Sequence, residues 1–418
     1  MGLWLIAKRL SLHTTIAFLS SSTSMPTHID SIRQQIAHAF EQGAHEQALS
    51  LLQSLCRQYP NDAEAHYRLG VIEEQIGTPS GARRAYLTCL TLAPTNPTAY
   101  LFAGYCLQQQ GYHSAAVELY SLGADLDEGI LYLWRSNQQS AESQQRSSAA
   151  SQALRRHLTA LHEQSVGDDR RCQRVASAIW TRTHHLAFQF RQAHQQPQLF
   201  YLPDLPATGF ADPGDWPWVK RLQNAALDIQ QELLLALPQI RAQGRPYLAA
   251  DTVLDEAFAP LAGSLNWTAL DLFADGVAHS ALSVHFPKTL AALKHAPLYG
   301  LDDNPFEVFF SLLRPGQHIK PHYGQSNHSL TVHLPLVIPE GCWLRVDDET
   351  RQWQTGQVTV FDDTFIHEAC NASESERIVL IFSIWHPDLT DIEQQAIKRS
   401  FSARRQWLDQ RQFPEIPD

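Results

Sequence analysis

The sequence predicts an α+β multidomain protein, in which an N-terminal α-solenoid of helical repeats precedes a jelly roll with flanking helices. Two observations predict this architecture. A 34-residue period runs through the first third of the chain, and short apolar segments divided by turn residues fill the part that follows Asn304. At 418 residues the chain is also longer than one ordinary domain, so about two or three domains are expected.

The first third of the chain places the same residue types at a fixed interval. Gly70 and Gly104 are 34 residues apart. The other pairs with this spacing are Gly43 and Gly77, Gly77 and Gly111, Ala48 and Ala82, Ala82 and Ala116, Tyr86 and Tyr120, and Pro60 and Pro94. Small residues let paired helices approach closely, and each helix pair buries its apolar face only against the next pair. The pattern resembles tetratricopeptide repeats, at about 29–62, 63–96 and 97–130.

Helical repeats of this kind predict a concave surface that docks another protein. A scaffold that only dimerises or spaces the rest of the chain is the alternative. After the repeats, the segment 131–196 is rich in Gln, Ser, Ala and Arg and predicts a helical linker.

Changes in composition and hydrophobic pattern predict the remaining domain limits. A jelly-roll domain is predicted at 197–390, with an amphipathic helix at 219–237, and a charged helix and tail at 391–418. Residues 1–28 form an N-terminal extension that we do not expect in the mature protein. Met25 directly precedes the regular sequence and is a candidate start, with a signal or transit peptide as the alternative.

Five segments predict strands, because they are short, apolar or alternating, and bounded by turn residues. They are 306–313, 329–338, 342–346, 357–361 and 377–385. In the second segment Leu330, Val332, Leu334 and Leu336 share one face, whereas His333 lies on the other. His333 is therefore expected to point away from the packed apolar face.

Composition limits the classes of function. Hydrophobic residues make up 44% and charged residues 18% of the chain, which is a globular balance. The formal net charge of −11 argues against a nucleic-acid partner, which needs a basic face for phosphates. The chain has no block of like charges, so a surface patch that binds a membrane is not expected. The six cysteines are scattered without a C-x-x-C pair, so reduced thiols and a cytoplasmic location are expected.

Two histidines and an arginine fall at the edges of strand-like segments. His322 and His367 are 45 residues apart, and Arg377 follows the second histidine by ten residues. Imidazole suits Fe, Zn, Cu or Ni, so the histidines alone do not name the metal. A guanidinium binds a carboxylate in a fork, so Arg377 suits an anionic cosubstrate. In a jelly roll this set fits a non-haem Fe(II) oxygenase that binds a 2-oxo acid.

Four sequence phrases occur in order in the second half of the chain. They are Phe310–Gly324 (FSLLRPGQHIKPHYG), His333–Leu336 (HLPL), Phe361–Glu368 (FDDTFIHE) and Trp385–Thr390 (WHPDLT). Through these phrases the sequence from about Phe200 to Thr390 resembles the aspartyl/asparaginyl β-hydroxylase family. Members of that family often carry N-terminal helical repeats, which this chain also shows.

The resemblance implies a double-stranded β-helix in which His322 and His367 hold Fe(II). In this family the third, acidic ligand of related oxygenases is absent and a glycine stands in its place. Gly324, two residues after the first histidine, fits that pattern. The glycine therefore supports the resemblance.

The resemblance also implies the contacts of the cosubstrate, 2-oxoglutarate. Arg377 and Ser311 are implied to hold its distal carboxylate, and His333 is implied to reach the carboxylate nearer the iron. The chain departs from the family shortly before the HLPL phrase. Members usually have an arginine there, whereas this chain has Ser329 and Thr331.

Three polar residues near these phrases have less specific signals. His328 is a candidate donor in place of the missing arginine, with a charge that depends on pH. Asp362 and Asp363 are predicted to shape a turn, with support of the neighbouring metal ligands as the alternative.

The main prediction is an Fe(II)- and 2-oxoglutarate-dependent dioxygenase that hydroxylates an Asp/Asn-type side chain of a peptide or protein recruited by the repeats. The first alternative is a repeat-containing interaction protein with a degenerate, non-catalytic hydroxylase domain, which the residues Ser329 and Thr331 suggest. A cupin-type metal hydrolase or isomerase is the second alternative. It uses the same histidines without an oxo acid and does not need Arg377.

Overall fold

The computed structural model describes residues 28–414 apart from Asp215 and residues 251–257. The predicted N-terminal extension, including Met25, therefore lies outside the described residues except for its last residue. None of the helices in the described part of the chain has the length and apolarity needed to cross a membrane.

The described chain divides into two compact units. One comprises residues 28–158 with 406–414, and the other comprises residues 159–405. Two long helices, Ala141–Val166 and Asp391–Gln410, each continue from one unit into the other. The predicted domain limits followed changes in composition, and they stay predictions.

The repeated region consists of six helices in three pairs, which confirms the predicted repeats. They are α1 (His28–Glu41), α2 (His45–Gln58), α3 (Ala63–Ile76), α4 (Pro79–Leu92), α5 (Pro97–Gln109) and α6 (His113–Leu126). Side chains cap the first turns of α3, α4 and α5, where Asp62, Thr78 and Asn96 each accept a hydrogen bond from a backbone amide. Capping residues thus set the start of these three helices.

Glycines at repeated positions let the two helices of a pair touch. A Cβ atom on Gly70 would lie 2.5 Å from the ring of Tyr86, and one on Gly104 would lie 2.5 Å from the ring of Tyr120. Both tyrosines are fully buried. The 34-residue spacings of the glycine pair and of the tyrosine pair therefore reflect the same Gly–Tyr packing contact, which occurs in two successive repeats.

The Gly70→Ala variant is expected to destabilise the repeats. The added methyl group overpacks against Tyr86, which costs about 1–3 kcal/mol. The higher helix propensity of alanine offsets about 1 kcal/mol of this cost. The midpoint of urea unfolding, followed by circular dichroism, is expected to fall. Ser80→Ala, at an exposed position of α4, is the control. A raised midpoint for Gly70→Ala would show that Tyr86 moves aside freely, because only the helix propensity of alanine then contributes.

The second unit contains two facing antiparallel β-sheets with helices around them. The strands are β1 (Ile179–Trp180), β2 (Phe200–Tyr201), β3 (Phe210–Ala211), β4 (Arg245–Pro246), β5 (Trp267–Ala274), β6 (Val277–Ala278), β7 (Val308–Leu313), β8 (His318–His322), β9 (Ser329–Val337), β10 (Cys342–Val346), β11 (Glu349–Gln352), β12 (Thr359–Phe361), β13 (His367–Asn371) and β14 (Arg377–Trp385). The remaining α-helices are α7 (Ala141–Val166), α8 (Gln173–Ala176), α9 (Pro217–Ile240), α10 (Ser280–Ser283), α11 (Pro287–Leu293) and α12 (Asp391–Gln410). Each of the five predicted segments contains a strand.

The smaller of the two facing sheets has four strands in the order β11-β10-β13-β8. The larger sheet has the order β3-β12-β9-β14-β7-β5-β4, with β6 beside β5. A separate two-stranded sheet joins β1 to β2. Every pair of neighbouring strands in the two large sheets is antiparallel. This architecture confirms the predicted fold class.

The outer face of the larger sheet packs against helix α9. Leu330 and Leu334 of β9 share a buried apolar core with Ile229 and Leu233 of the helix. Because side chains alternate along a strand, His333 lies on the opposite, inner face, as the sequence predicts.

The inner face of the larger sheet meets the smaller sheet. Trp267 and Leu313 belong to the larger sheet, and they pack with Ile319, Leu344 and Ala369 of the smaller one. The space between the two sheets is therefore closed by apolar side chains at this end. The functional side chains lie in the remainder of that space.

Candidate metal centre and anion pocket

His322 and His367 lie side by side at the ends of two neighbouring strands. His322 is the last residue of β8 and pairs in register with His367, the first residue of β13. Their ring centroids are 4.0 Å apart. Within the described ranges, no third His, Cys, Asp or Glu joins them in a group whose ligand atoms all lie within 4.8 Å of one another. The structure thus brings together the two predicted metal ligands.

A β-bulge sets the direction of His322. Ala369 lies two residues after His367 and pairs with Ile319, which lies three residues before His322, so β8 holds one extra residue here. The extra residue lets both Ile319 and His322 face the interior, although strict alternation would put them on opposite faces. Bulges of this kind re-aim side chains next to functional sites.

The same bulge removes His318 from the centre. Its even spacing from His322 is compatible with one face of a regular strand, but the structure places it on the outer face of the smaller sheet. There its Nε2 lies 2.6 Å from a carboxylate oxygen of Glu368, which also pairs with Arg345. His318 is therefore part of an ion-pair network and not of the metal centre.

Backbone carbonyls fix the tautomers of the two inner histidines. Nδ1 of His322 lies 2.7 Å from the carbonyl oxygen of Lys320, and Nδ1 of His367 lies 3.0 Å from that of Phe365. A carbonyl oxygen only accepts, so each Nδ1 donates and each neutral ring keeps a lone pair on Nε2. Burial lowers the pKa of both imidazoles, that of His367 well below its ordinary value. Both rings are thus neutral at pH 7, the form that binds a metal.

Asp363 occupies the space beside Gly324 where the side chain of a third ligand would start. A Cβ atom on Gly324 would lie 2.1 Å from Oδ1 and 2.6 Å from Oδ2 of Asp363. The backbone also joins the two residues, because the amide of Gly324 donates to the carbonyl oxygen of Asp363 at 2.6 Å. Any larger residue at this position would displace the carboxylate. Glycine is therefore required here by the packing of a neighbouring acid.

The two aspartates of the FDD phrase have different surroundings. Asp362 has the predicted turn role, since its carboxylate accepts from the amide and hydroxyl of Thr364 and from Gln195. Asp363 instead accepts from the hydroxyl of Thr331 at 3.2 Å. Burial, with the charge of Asp362, raises the pKa of Asp363 to about 7. Thr331, one of the two residues that stand where an arginine is expected from the resemblance, therefore contacts a buried acid whose pKa is raised to about 7.

Arg377 is a buried cation without a counter-ion. It is 1% exposed, and its Nη1 donates to the carbonyl oxygen of Ser311 at 3.3 Å and to Oγ of Ser311 at 3.2 Å. Its Nε has no hydrogen-bond partner, and no carboxylate among the described residues pairs with it. Burial lowers the pKa of Arg377 to about 10, so it stays charged at pH 7. A buried, uncompensated charge of this kind is the signature of a site for an anion.

Two further polar groups next to Arg377 lack partners. The ring centroid of Trp353 lies 4.8 Å from the guanidinium carbon of Arg377 and 5.7 Å from the ring centroid of His333. The indole Nε1 of Trp353 and Nδ1 of His333 are both buried without a hydrogen bond. Buried polar atoms in native proteins are nearly always paired, so this cluster of orphaned atoms indicates a bound ligand or ordered water. Trp353 was not predicted, because it lies in no motif.

The hydroxyl of Ser311 is arranged to donate into the same pocket. Its Oγ accepts from the indole N–H of Trp267 at 3.1 Å and from Arg377 at 3.2 Å. These two contacts use both lone pairs, which leaves the hydroxyl hydrogen for another acceptor. Ser311 is completely buried, so that acceptor has to lie inside the pocket.

One aromatic ring connects the histidine pair with the anion pocket. The ring centroid of Phe361 lies 5.6 Å from that of His367 and 4.9 Å from that of His333. The predicted site residues therefore line one continuous interior. They are His322, His367, His333, Arg377 and Ser311.

His328 does not face this interior. Its ring packs against four aromatic rings at centroid distances between 4.9 and 5.8 Å, those of Phe200, Tyr299, Trp385 and Phe401. Neither ring nitrogen has a hydrogen-bond partner. The hypothesis that His328 replaces the missing arginine as a donor is therefore wrong.

A second group of possible ligands lies on the surface. His194, Asp347 and Asp348 have ligand atoms within 4.8 Å of one another. His194 and Asp348 are exposed, and Nδ1 of His194 lies 2.6 Å from Oδ1 of Asp347. Exposed acidic groups of this kind are common without a metal. The backbones of His194 and Asp347 both hydrogen-bond to Ile366, directly before His367, but the ligand atoms of this group do not include those of the interior histidines.

The fold and the site define a class of protein. Two facing antiparallel sheets enclose a histidine pair and a buried arginine without a carboxylate partner, which is the arrangement of a double-stranded β-helix. Within this class, residues 225–387 match the family described as aspartyl/asparaginyl β-hydroxylase. The match confirms the family resemblance predicted from the motifs, and it contains all five predicted site residues.

Individual relatives extend this result. The aspartyl/asparaginyl β-hydroxylase of Mus musculus is 27% identical over 363 residues, 84% of this chain and 43% of that protein. Aspartate β-hydroxylase domain-containing protein 2 of Homo sapiens is 29% identical over 51% of this chain and 57% of that protein. The ornithine lipid ester-linked acyl 2-hydroxylase of Rhizobium tropici is 30% identical over 42% of this chain and 60% of that protein. The chain thus spans less than half the length of the mouse relative.

The buried His328 is expected to make stability fall at acid pH. Burial lowers the pKa of His328 from 6.5 to about 3. Below about pH 6 its imidazole is therefore protonated in the unfolded chain but stays neutral in the folded chain. The free energy of unfolding should then drop by up to ~1.4 kcal/mol per pH unit for this group, down to about pH 3. His328→Phe is expected to reduce this slope in urea titrations at pH 4–6, whereas His279→Phe, at an exposed position, leaves it unchanged. An equal slope in both variants would mean that His328 is already charged in the folded protein.

Proposed function

We propose that the protein is an Fe(II)- and 2-oxoglutarate-dependent dioxygenase that hydroxylates an Asp/Asn-type side chain of a peptide or protein. The observation that supports this most directly is Arg377, whose buried guanidinium has no carboxylate partner. The orphaned nitrogens of His333 and Trp353 lie beside it. An anion with a terminal carboxylate satisfies these groups, and an isomerase or hydrolase without an oxo acid leaves Arg377 unexplained.

The histidine pair supports the choice of metal. His322 and His367 present neutral Nε2 lone pairs side by side, and imidazole suits Fe(II). The side chain of Gly324 offers no ligand atom, so His322 and His367 are the two side chains that would hold the metal. When bound, Fe(II) supplies the activation of O2 coupled to oxidation of the 2-oxo acid, chemistry that no side chain provides.

The residues of the anion pocket bind and orient the cosubstrate. Arg377 and the hydroxyl of Ser311 donate to the distal carboxylate, and His333 serves the carboxylate nearer the histidine pair. The rings of Trp353 and Phe361 form apolar walls that keep water out. In such a low-dielectric environment the attraction between guanidinium and carboxylate is stronger than at the surface.

Asp363 presents its carboxyl group at the space left open by Gly324, two residues after His322. Burial in the metal-free protein raises its pKa to about 7, and a bound Fe(II) would favour the ionised form. The hydroxyl of Thr331 orients one of its oxygens. Asp363 therefore donates a hydrogen bond to a group in this space when protonated and accepts one when ionised.

The extent of the similarity favours a peptide or protein substrate. The mouse relative, named as an aspartyl/asparaginyl hydroxylase, aligns over 84% of this chain and so includes part of the repeats. The relative named as an acyl hydroxylase of ornithine lipids aligns over only 42%. We therefore assign the repeats the role of recruiting a protein substrate.

We also propose a cytoplasmic location. All six cysteines are free, and five of them are buried. Unpaired thiols persist in a reducing compartment.

Loss of either histidine is expected to abolish turnover. His322→Ala and His367→Ala each remove one of two protein ligands, so succinate formation and oxygen incorporation into a peptide pool, read by mass spectrometry, should vanish. Binding of Mn(II), measured by calorimetry, should weaken in both variants. His318→Ala, on the outer face of the same strand, is the matched control and should retain activity. Full turnover in either inner variant would reject the ligand assignment.

The Arg377→Ala variant is expected to weaken binding of 2-oxoglutarate to the Mn(II)-loaded protein. It removes a charge-assisted contact worth roughly 1.5–3 kcal/mol, or about 10–100-fold in the dissociation constant. Arg377→Lys keeps the positive charge but cannot form two parallel hydrogen bonds to a carboxylate. Its dissociation constant for 2-oxoglutarate should therefore lie between those of Arg377→Ala and the wild type. Arg241→Ala, which removes an exposed arginine paired with Glu376, is the control. If the wild type itself does not bind 2-oxoglutarate, the domain is a degenerate hydroxylase and the alternative holds.

A further inference from the structure

Helix α7 begins against the repeats through one buried arginine. Arg146 is 5% exposed, and its Nη1 donates to Oε2 of Glu74 on α3 at 2.8 Å. Its Nη2 pairs with Glu142, one turn earlier on α7 itself. The arginine thus links a helix of the predicted linker to a helix of the second repeat.

The pocket around Arg146 has the composition of a guanidinium receptor. The guanidinium carbon lies 4.1 Å from the ring centroid of Phe102 and 4.9 Å from that of Tyr105, both on α5. Glu74 supplies the negative charge and is oriented by the hydroxyl of Tyr86, which donates to it at 2.7 Å. Aromatic faces with a partly desolvated carboxylate suit the flat, delocalised guanidinium better than an ammonium group.

The next turns of α7 contribute little apolar contact. Between Arg146 and Leu154 the buried residues of α7 are Ser147, Ala150 and Ser151. The hydroxyl of Ser147 has no hydrogen-bond partner. Small side chains remove little apolar surface from water, so Arg146 is the main anchor of this end of the helix.

The packing of α7 is also incomplete farther along. A cleft of about 310 Å³ lies where α7 meets α5 and α6, with His113 and Val117 on one side and His157 on the other. Nε2 of His157 is buried there without a partner. The cleft is open to solvent, so it gives outside molecules access to the edge of the contact between α7 and the repeats.

We propose that the pocket formed by Glu74, Phe102 and Tyr105 is a docking site for an arginine-bearing helix of a partner protein, and that Arg146 occupies it in cis. The partner helix presents an arginine followed by small residues, as α7 does in Arg146–Ala150 (RSSAA). Covalent attachment gives α7 an effective concentration of roughly 1 mM, so a partner docks only when it displaces α7.

This inference concerns the repeats and stands whether or not the second unit is a hydroxylase. If the repeats do recruit the substrate of the proposed reaction through this pocket, release of α7 has to precede recruitment. Catalysis on a short peptide that needs no docking is then independent of the state of α7. The two proposals therefore fail separately.

The test uses the full chain and a fluorescently labelled synthetic peptide of residues 141–158 as the probe, with anisotropy as the measurement. In the Arg146→Ala protein the cis ligand is weakened, and the peptide is expected to bind at least about tenfold more tightly than to the wild type. The same peptide with alanine in place of arginine at 146 is expected not to bind. Adding Glu74→Gln to the Arg146→Ala protein should remove binding. Gln152→Ala, an exposed residue of α7, is the control and should match the wild type.

Hydrogen exchange gives a second measurement on the same proteins. Amides of residues 141–158 are expected to exchange faster in Arg146→Ala, while those of the six repeat helices keep their protection. A folded variant that does not bind the peptide, or that binds the arginine and alanine peptides equally, overturns the proposal. Unfolding of the repeats in Arg146→Ala also overturns it, because Arg146 is then part of their core.

Discussion

The buried guanidinium of Arg377, which has no carboxylate partner, limits how the interior of the β-rich unit can be packed. Arg377 stands on β14, between β7 and β9 near the middle of the larger sheet, so the sheet cannot enclose a purely apolar core. Leaving one charge of a buried pair uncompensated costs about 3–5 kcal/mol. Ser311 and the face of Trp353 offset only part of this cost. The folded chain is thus less stable than an apolar version of itself and gains stability when an anion binds.

The histidine pair depends instead on the backbone. The bulge in β8 turns His322 inward, and the carbonyls two residues before each histidine fix which nitrogen is free. Gly324 follows from the same arrangement, because Asp363 fills the space that a side chain there would need. A carboxylate therefore lies beside Gly324, but it comes from the turn before β13 and not from β8.

The sequence predicted those parts of the fold and site that depend on local patterns. The alternation of β9 predicted that His333 lies on the face opposite its leucines, and the repeated Gly and Tyr positions predicted the helix pairs. Strand β5 was missed because both of its faces are buried and its residues do not alternate. Strand β8 was missed because it is a polar edge strand that contains Pro321. Trp353 lies 24 residues before Arg377, and only the folded chain brings them together.

Each of the two units contains a buried arginine, and the two arginines differ in whether the chain supplies a carboxylate to balance their charge. The charge of Arg146 is compensated by Glu74 and by an acid on its own helix, although its Nε, like that of Arg377, has no hydrogen-bond partner. Arg377 has no acid, so its pocket gains a counter-ion only from a ligand. If the proposed cosubstrate binds, its affinity is then set by the pocket itself. The apparent affinity for a helical partner is set by the difference in binding free energy between that partner and α7. A partner that binds no better than α7 cannot increase the population of repeats from which α7 is released.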